Sequence, residues 1–175
     1  MPKLIENVRE NLIREARHQA ETIGYSSMTI RSISEACGIG TGTVYNYFPS
    51  KEHLAAAFML EDWEKLLCGM KKLPCRDPET FLESVFGLLR GFFISHAFLF
   101  RDRKAEAAYT GSVTGKHPLL RNQLAGVILP VCAYSAAEDK PFLSEFIAES
   151  FLSWAGCGEN FTRLYSVIRF IFENK

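Results

Sequence analysis

The sequence predicts an all-α protein in which a three-helix N-terminal domain is joined by one long helix to a C-terminal helical bundle. Two observations favour this fold. Apolar residues recur at three- and four-residue spacings along most of the 175-residue chain, which is the periodicity of helices with a buried face. No segment alternates apolar and polar residues like a half-buried strand, and no internal repeat is present. The predicted divisions are a domain of residues 1–50, a connecting helix of residues 51–73 and a domain of residues 74–175.

A first helix is predicted from Lys3 to Ile23. Its apolar residues repeat every three or four positions and form one buried face: Leu12, Ile13, Ala16, Ala20 and Ile23. Gly24 ends this helix, because glycine adopts the left-handed conformation that follows a helix C-terminus at little cost. The helix is expected to hold the next two helices at a fixed angle.

Two short helices joined by a tight turn follow. Thr29 can cap the first of them, Ile30 to Cys37, since its hydroxyl accepts from a backbone N–H that has no partner within the helix. Gly38 lies where the chain must turn left-handed. The second helix extends from Thr41 to Tyr47 and stops before Pro49, which disfavours helical geometry at the residue preceding it. This arrangement is a helix-turn-helix.

The same stretch resembles the signature of the tetracycline-repressor (TetR) family of bacterial regulators. The matching positions have the family's spacing without gaps: Ile33, Gly38, Ile39, Gly42, Thr43, Tyr45, Tyr47, Phe48, Ser50, Lys51 and Glu52. The resemblance is confined to this N-terminal part of the chain. It implies a homodimeric, ligand-responsive repressor that binds a pseudo-palindromic operator in double-stranded DNA and is released by a small lipophilic or aromatic effector.

The resemblance also implies roles for individual residues, with the helix of Thr41 to Tyr47 lying in a major groove. The implied DNA-binding residues are Thr29, Arg31, Thr41, Gly42, Thr43, Tyr45, Asn46, Tyr47 and Lys51. Arg31, Thr41, Gly42 and Tyr45 lie where family members contact base edges. Thr29, Thr43, Tyr45, Tyr47 and Lys51 lie where family members hold phosphates.

The chemistry of these residue types agrees with the implied roles. Arginine can fork onto guanine, a threonine methyl can contact the thymine methyl, and glycine lets the backbone approach closely. Lys51 adds a positive charge where a helix N-terminus already favours phosphate. The alternative for Tyr45 and Tyr47 is packing in the protein core.

Net charge does not indicate nucleic-acid binding, because the formal net charge of the chain is zero. The first 54 residues are also balanced, with six basic residues against six acidic ones: Lys3, Arg9, Arg14, Arg17, Arg31 and Lys51 against Glu6, Glu10, Glu15, Glu21, Glu35 and Glu52. Domains that bind DNA usually carry an excess of positive charge. The few cations must therefore lie on one face if this domain binds DNA.

Six further helical segments are predicted after the helix-turn-helix. The connecting helix extends from Lys51 to Leu73 and ends at a break marked by Pro74 and Pro78. The others are residues 78–100, 101–108, 118–135, 142–155 and 160–172, with a loop at residues 110–117, a turn at residues 139–141 and a kink near Pro130.

The last two helices bear more apolar surface than one buried face needs. In the TetR family such helices pair with their mates in a dimeric four-helix bundle, and the resemblance implies the same homodimer here. The candidate interface residues are Phe146, Phe151, Leu164, Val167, Phe170 and Ile171. The alternative is an entirely internal core, although a soluble monomer rarely leaves a large apolar patch exposed.

Aromatic residues are frequent between Phe81 and Trp154. TetR-family members hold a small-molecule pocket inside this bundle, and the candidate lining residues are Phe86, Phe93, His96, Tyr109, Glu149 and Trp154. His96 and Glu149 would be the polar groups that orient a ligand in an apolar cavity. The alternative is ordinary core packing for the aromatic residues, and a core hydrogen bond or a surface position for the two polar ones.

The sequence indicates neither an enzyme nor a cofactor. It contains no glycine-rich phosphate loop, no nucleophile elbow and no His-Glu-x-x-His motif. The four histidines have no metal-ligand spacing. Two alternatives from other classes remain open: a helical interaction protein that does not bind DNA, and an all-α enzyme whose site lies in the C-terminal bundle.

The cysteines and the N-terminus predict a cytoplasmic protein. Five cysteines form no C-x-x-C pair, so reduced thiols are expected, one of which could sense redox state. The chain begins with Lys3, Glu6 and Arg9 rather than with an apolar run. No unbroken apolar run is long enough to span a membrane.

Overall fold

The computed structural model describes residues 7–97 and 117–173, and within these ranges it contains eight α-helices and no strand. The helices are α1 (Val8–Thr22), α2 (Ile30–Ala36), α3 (Thr41–Tyr47), α4 (Lys51–Met70), α5 (Pro78–Ser95), α6 (His117–Cys132), α7 (Lys140–Gly156) and α8 (Phe161–Glu173). The predicted all-α fold is confirmed. The predicted short helix at residues 101–108 and residues 110–116 of the predicted loop lie outside the described residues. The last residue assigned to that loop, His117, is instead the first residue of α6.

The described chain forms two compact units. The first contains residues 7–62 together with His96 and Ala97, and the second contains residues 63–95 and 117–173. The division between them falls within α4, after Asp62. The predicted bounds of 1–50, 51–73 and 74–175 remain a prediction. None of the helices in the described ranges combines the length and the apolar character needed to span a membrane.

The apolar face predicted for α1 is buried with one exception. Leu12, Ile13, Ala16 and Ala20 all lie in the core of the first unit. The prediction is wrong for Ile23, which is the C-cap residue and is 53% exposed. The helical periodicity continues past the end of the helix by one residue, so the sequence pattern cannot distinguish this position from the buried face.

A buried amide connects α1 to α2. Gln19 accepts a hydrogen bond from Ser32 Oγ at 2.6 Å and donates one to Glu15 Oε1 at 2.8 Å. Ser32 also belongs to a reciprocal cap with Thr29: its N–H donates to Thr29 Oγ1 at 3.0 Å, and its Oγ accepts from the Thr29 N–H at 3.1 Å. The predicted cap at Thr29 is thus confirmed. The cap and the amide together fix where α2 begins relative to α1.

The turn between α2 and α3 follows the sequence prediction. Gly38 has a φ of 66°, the left-handed conformation for which glycine was expected. Gly40 precedes α3 in extended geometry, and Phe48 leaves the helix with a φ of −137° before Pro49. α2 and α3 therefore form the predicted helix-turn-helix.

The helix bounds in the second unit differ from the prediction at most of its helix ends. The connecting helix ends at Met70 rather than Leu73, and α6 ends at Cys132 rather than at residue 135. α5 ends at Ser95, so the helix predicted for residues 78–100 is shorter within the described residues. α7 begins at Lys140 and contains Pro141, which the sequence pattern assigned to a turn. Proline is tolerated in the first turn of a helix because the missing N–H would have no intrahelical partner there. Asp139 caps α7 by accepting from the N–H of Phe142 at 2.9 Å.

The core of the second unit combines residues from all of its helices. α5 contributes Phe81, Leu82, Val85, Phe86 and Leu89, which recur at helical spacing on one face. An aromatic cluster lies at its centre: the Phe86 ring is 5.2 Å from that of Phe151 and 5.8 Å from that of Phe161, centroid to centroid. Trp63, from the end of α4, donates to Gln123 Oε1 at 2.8 Å.

A charged cluster joins α1 to α4 in the first unit. Arg17 donates to an oxygen of Asp62, to Glu61 Oε2 at 3.2 Å and to the carbonyl of Phe58 at 3.3 Å. The Nε2 atom of His96 lies 3.1 Å from Asp62 Oδ2. Burial alone would raise the pKa of Asp62, but the hydrogen bonds and charges of Arg17 and His96 outweigh it and hold that pKa below its ordinary value of 3.8.

Asp62→Asn is expected to lower the free energy of unfolding by about 1–3 kcal/mol at neutral pH, because the charged hydrogen bond from Arg17 is lost. A carboxylate with a depressed folded pKa stabilises the protein above its unfolded pKa, and that stabilisation disappears as pH falls through the folded pKa. Urea unfolding at a series of pH values measures the free energy of unfolding of wild type and variant. The difference between these two free energies should become smaller below pH 3.8.

Glu61→Gln is the matched control, because Glu61 bonds the same guanidinium but its side chain is 39% exposed. Exposed ion pairs contribute at most about 1 kcal/mol, so this variant should lose less stability than Asp62→Asn. If the difference in free energy of unfolding between Asp62→Asn and wild type stayed constant as the pH was lowered, Asp62 would not stabilise the protein through its charge.

Candidate nucleic-acid interface

The surface of α3 is almost entirely free of packing within its unit. Val44 is the one buried residue of the helix, and Thr41, Gly42, Thr43 and Asn46 are exposed. Tyr45 is 54% exposed and Tyr47 is 47% exposed. The alternative in which these two rings pack in the core is therefore wrong. α3 is held by a single anchoring side chain and presents hydroxyl, amide and aromatic groups outward.

Gly42 is exposed near the start of α3, and no packing constraint within the protein requires a glycine there. A Cβ atom built at this position would meet no heavy atom within 4 Å. The backbone of the first turn is consequently open to the surrounding solvent. A partner can approach it more closely here than at any residue with a side chain.

Arg31 lies in the first turn of α2, with its side chain 83% exposed. Its Nε atom donates to Glu35 Oε1 at 2.9 Å, one helical turn further along. The hydrogen bond to Glu35 and the charge of Glu35 raise the pKa of the Arg31 guanidinium. Arg31 is therefore a permanent, outward-facing cation, and Glu35 competes with any other acceptor for it.

Lys51, the first residue of α4, is bonded within its own unit. Its ammonium donates to the carbonyl of Tyr25 at 3.0 Å and to the carbonyl of Met28 at 3.3 Å. The nitrogen also lies 4.3 Å from the centroid of the Tyr25 ring. The predicted phosphate contact would require this ammonium to leave two carbonyls and an aromatic face.

Two residues of this surface were missed by the sequence analysis. The only sequence feature that points to Glu35 is its position four residues after Arg31, which is the spacing of an ordinary helical ion pair. Glu52 accepts from Tyr25 Oη at 3.2 Å and so holds the same tyrosine as Lys51. Burial would raise the pKa of Glu52, but hydrogen bonds from Ser50 and Tyr25 and the charge of Lys51 lower it. No sequence signal connects Glu52 to a tyrosine this far away in the chain.

The helix-turn-helix is the part of the chain that a known family model matches. The model for bacterial regulatory proteins of the tetR family matches residues 12–58. This part of the chain therefore resembles the helix-turn-helix region of tetR-family regulators. The match extends from the buried face of α1 through α2 and α3 into the first half of α4, and it includes every predicted DNA-binding residue.

Curated relatives of this chain are transcriptional regulators. The chain is 27% identical over 93 residues to the HTH-type transcriptional repressor KstR of Rhodococcus jostii, covering 48% of this chain and 44% of KstR. It is 33% identical over 64 residues to the HTH-type transcriptional regulator UidR of Escherichia coli, covering 37% of this chain and 33% of UidR. The aligned regions thus span less than half the length of these relatives.

Solved structures share the fold over nearly the whole chain. A tetR-family transcriptional regulator from Pectobacterium atrosepticum has a TM-score of 0.70 at 16% identity, covering 95% of this chain and 94% of that one. GusR of Salmonella enterica has a TM-score of 0.62 at 18% identity, with 97% and 96% covered. RolR in complex with resorcinol has a TM-score of 0.57 at 21% identity, with 93% and 86% covered. At these identities the likeness establishes the fold of this chain and nothing further.

The predicted ligand-binding residues that the structure describes are distributed over both units. Phe86 is fully packed in the aromatic core cluster of the second unit, as in the alternative of ordinary core packing. Phe93 and Trp154 are half-buried, and Glu149 is a surface residue whose Oε1 lies 3.6 Å from His117 Nε2. His96 belongs to the first unit, where its ring nitrogen contacts Asp62. Tyr109 lies outside the described residues.

The predicted dimer residues separate into two sets. Phe146, Val167 and Phe170 are exposed, with Phe170 at 54% and Val167 at 66%, and Ile171 is half-buried. The prediction is wrong for Phe151 and Leu164, because both are buried in the core of the second unit and cannot contact another chain there. Both helices are apolar on two faces, and helical spacing does not reveal which face is internal. Phe142 lies at the start of the segment predicted to dimerise and is 66% exposed on α7.

The described residues contain no group of three or more histidine, cysteine, aspartate or glutamate side chains able to hold a metal ion. Burial raises the pKa of the Cys37 and Cys75 thiols and raises that of Cys132 to about 11. A raised pKa lowers the thiolate fraction at neutral pH, so it disfavours redox sensing by these three cysteines.

Proposed function

We propose that this protein is a homodimeric transcriptional repressor, with α3 of each subunit in a major groove of a pseudo-palindromic operator. The observation that carries the proposal is the exposure of α3, which presents six of its seven residues outward and is anchored by Val44 alone. A helix that buries so little of its own surface is suited to burying it against a partner. The match of residues 12–58 to the tetR-family model supports DNA as that partner.

The exposed groups of α3 suit base edges and phosphates. Thr41 and Gly42 offer a methyl group and close backbone approach, and the Asn46 amide can pair with adenine. The hydroxyls of Thr43 and Tyr47 can donate to phosphate oxygens. On α2, Arg31 can fork onto guanine. The hydroxyl of Thr29, which caps the helix, can donate to a phosphate once it exchanges its bond to Ser32 Oγ. Tyr45 lies where family members make either a base contact or a phosphate contact.

The exposed apolar residues of α7 and α8 support a homodimer. Four large side chains, Phe142, Phe146, Val167 and Phe170, are between 47% and 66% exposed in one chain. An apolar surface of this kind is typical of a protein–protein interface. A dimer has two α3 helices, one for each half-site of a palindromic operator.

A small lipophilic or aromatic effector is the proposed signal. The half-buried rings of Phe93 and Trp154 in the second unit support an aromatic ligand, and the similar fold of RolR is solved with resorcinol. Operator DNA and effector must weaken each other's binding by the same factor. The proposal includes a cytoplasmic location and no enzymatic activity, since the curated relatives are regulators.

Arg31→Ala tests the proposed base contact. The variant should lose about 1–3 kcal/mol of binding free energy on the preferred duplex and relax preference at one position in each half-site. The measurement is a titration against the duplex that the wild type selects from a random-sequence pool and against a scrambled duplex. Glu35→Gln is the matched variant on the same helix. It should bind more tightly, because it removes the competing carboxylate at 2.9 Å from Arg31.

The same titrations distinguish the rival functions. A helical interaction protein would show no salt-dependent binding to any duplex, whereas a DNA-binding protein loses affinity as salt rises. Uniform weakening of Arg31→Ala on selected and scrambled duplexes alike would show that Arg31 contacts phosphate rather than a base.

A further inference from the structure

The ammonium of Lys51 lies in a cage made by the turn between α1 and α2. Two carbonyl oxygens, those of Tyr25 and Met28, accept from it at 3.0 and 3.3 Å. The Tyr25 ring covers the nitrogen at 4.3 Å from its centroid. An ammonium has three N–H donors, and two of them are used by these carbonyls. The cation is thus bound by its own protein.

The turn that forms the cage is closed by its own backbone and is bonded to the start of α4. Its backbone bonds are internal, from the N–H groups of Ser27 and Met28 to the carbonyl of Gly24, both at 3.1 Å. Tyr25 Oη donates to Glu52 at 3.2 Å, next to Lys51 in the chain. Lys51 and Glu52 therefore hold the turn at its carbonyls, at its ring and at its phenol oxygen.

The turn leads directly into α2, whose start is also tied to α1 by the bond from Ser32 to Gln19. The side chain of Met28 is fully buried, and the next residue, Thr29, caps α2 through the N–H of Ser32. Arg31 lies two residues beyond that cap. A shift of the Met28 carbonyl is carried directly to the first turn of α2, from which Arg31 projects.

We propose that Lys51 is a positioning residue for DNA recognition, which pins the α1–α2 turn to the start of α4 and does not contact phosphate. The inference rests on the proposed DNA-binding function and changes the role of one residue within it. An ammonium that moved to a phosphate would leave two carbonyls and a ring without their cation. Lys51 acts on DNA through the placement of Thr29 and Arg31.

The test compares Lys51→Met, which keeps the length of the side chain but removes its charge, with wild type and with Lys51→Arg. Binding is measured on the selected and the scrambled duplex at several salt concentrations. Backbone amide exchange of residues 25–31 is measured in the free protein. Lys51→Met should bind the selected duplex about tenfold more weakly, with an unchanged salt slope and faster exchange in the turn. Lys51→Arg should recover most of the affinity, because a guanidinium can also donate to the two carbonyls.

Tyr25→Leu provides a second probe that leaves every cation in place. Removal of the ring should weaken binding in the same direction as Lys51→Met, and the double variant should lose less than the sum of the two. A phosphate-bound Lys51 would instead leave Tyr25→Leu at wild-type affinity. This comparison also decides the question if Lys51→Met does not fold.

The proposal is overturned if Lys51→Met lowers the salt slope by about one unit per subunit while amide exchange in the turn is unchanged, since that is the behaviour of a phosphate contact. Failure of the proposed DNA-binding function would give a different binding result. In that case the wild type binds no duplex at any salt concentration, and the exchange data alone still show whether Lys51 holds the turn.

Discussion

Phe170→Asp is expected to convert the protein from a dimer to a monomer at micromolar concentration. Phe170 is 54% exposed on α8, and the guanidinium of Arg169 lies 4.9 Å from the centroid of its ring. Truncating an aromatic side chain at the centre of an interface costs about 2 kcal/mol or more. A two-fold symmetric interface presents the substitution twice, so the dimer dissociation constant should rise by about a thousandfold. Sedimentation velocity across a concentration series measures the change.

Leu119→Asp is the control for this prediction. Leu119 is 50% exposed in the same unit but lies near the start of α6, where an added carboxylate is compatible with the helix dipole. It should remain dimeric. Loss of dimerisation by Phe170→Asp should also weaken DNA binding, because two half-sites can then no longer be bound by one assembly. A wild type that sediments as a monomer, or a Phe170→Asp variant that remains a dimer, would contradict the proposed interface.

The features that sequence predicts well are those determined by neighbouring residues. The cap at Thr29 involves Ser32, three positions away, and the left-handed turn at Gly38 depends on that residue alone. The fold class follows from the same local regularities, since each amphipathic helix has its own apolar spacing. Errors arise at helix ends. At Ile23 the apolar periodicity continues beyond the helix, and at Pro141 a proline in the first turn of a helix was assigned to a turn before it.

The features that sequence does not predict depend on residues distant in the chain. The contacts of Lys51 join it to residues 23 and 26 positions earlier, and His96 contacts Asp62 across 34 positions. Phe151 and Leu164 illustrate a second limit. An apolar residue on a helix with two apolar faces can be internal or exposed, and only the packed structure distinguishes the two. The exposure of Tyr45 and Tyr47 also depends on packing, and it favours the contact that the family resemblance implies.

Gly42→Glu is expected to abolish binding to the selected duplex while leaving the fold intact. Space around Gly42 is open, with no heavy atom within 4 Å of a built Cβ, so the protein itself tolerates the side chain. Glutamate is also a better helix former than glycine by roughly 0.5–1 kcal/mol and is favoured in the first turn of a helix. The same side chain would place a carboxylate between the backbone of α3 and the DNA, where close approach is required. The combined loss of fit and electrostatic repulsion should cost at least about 3 kcal/mol, or a hundredfold in affinity.

Gly69→Glu is the matched control, because Gly69 is an exposed helical glycine with equally open space, located near the end of α4 in the second unit. It adds the same charge to the chain and should bind the selected duplex about as well as wild type. Thermal unfolding should show both variants at or above wild-type stability, which separates a blocked surface from a damaged fold. Gly42→Glu bound at wild-type affinity would show that α3 does not enter the groove with its first turn. Equal losses in the two variants would show that net charge, rather than the surface of α3, determines binding.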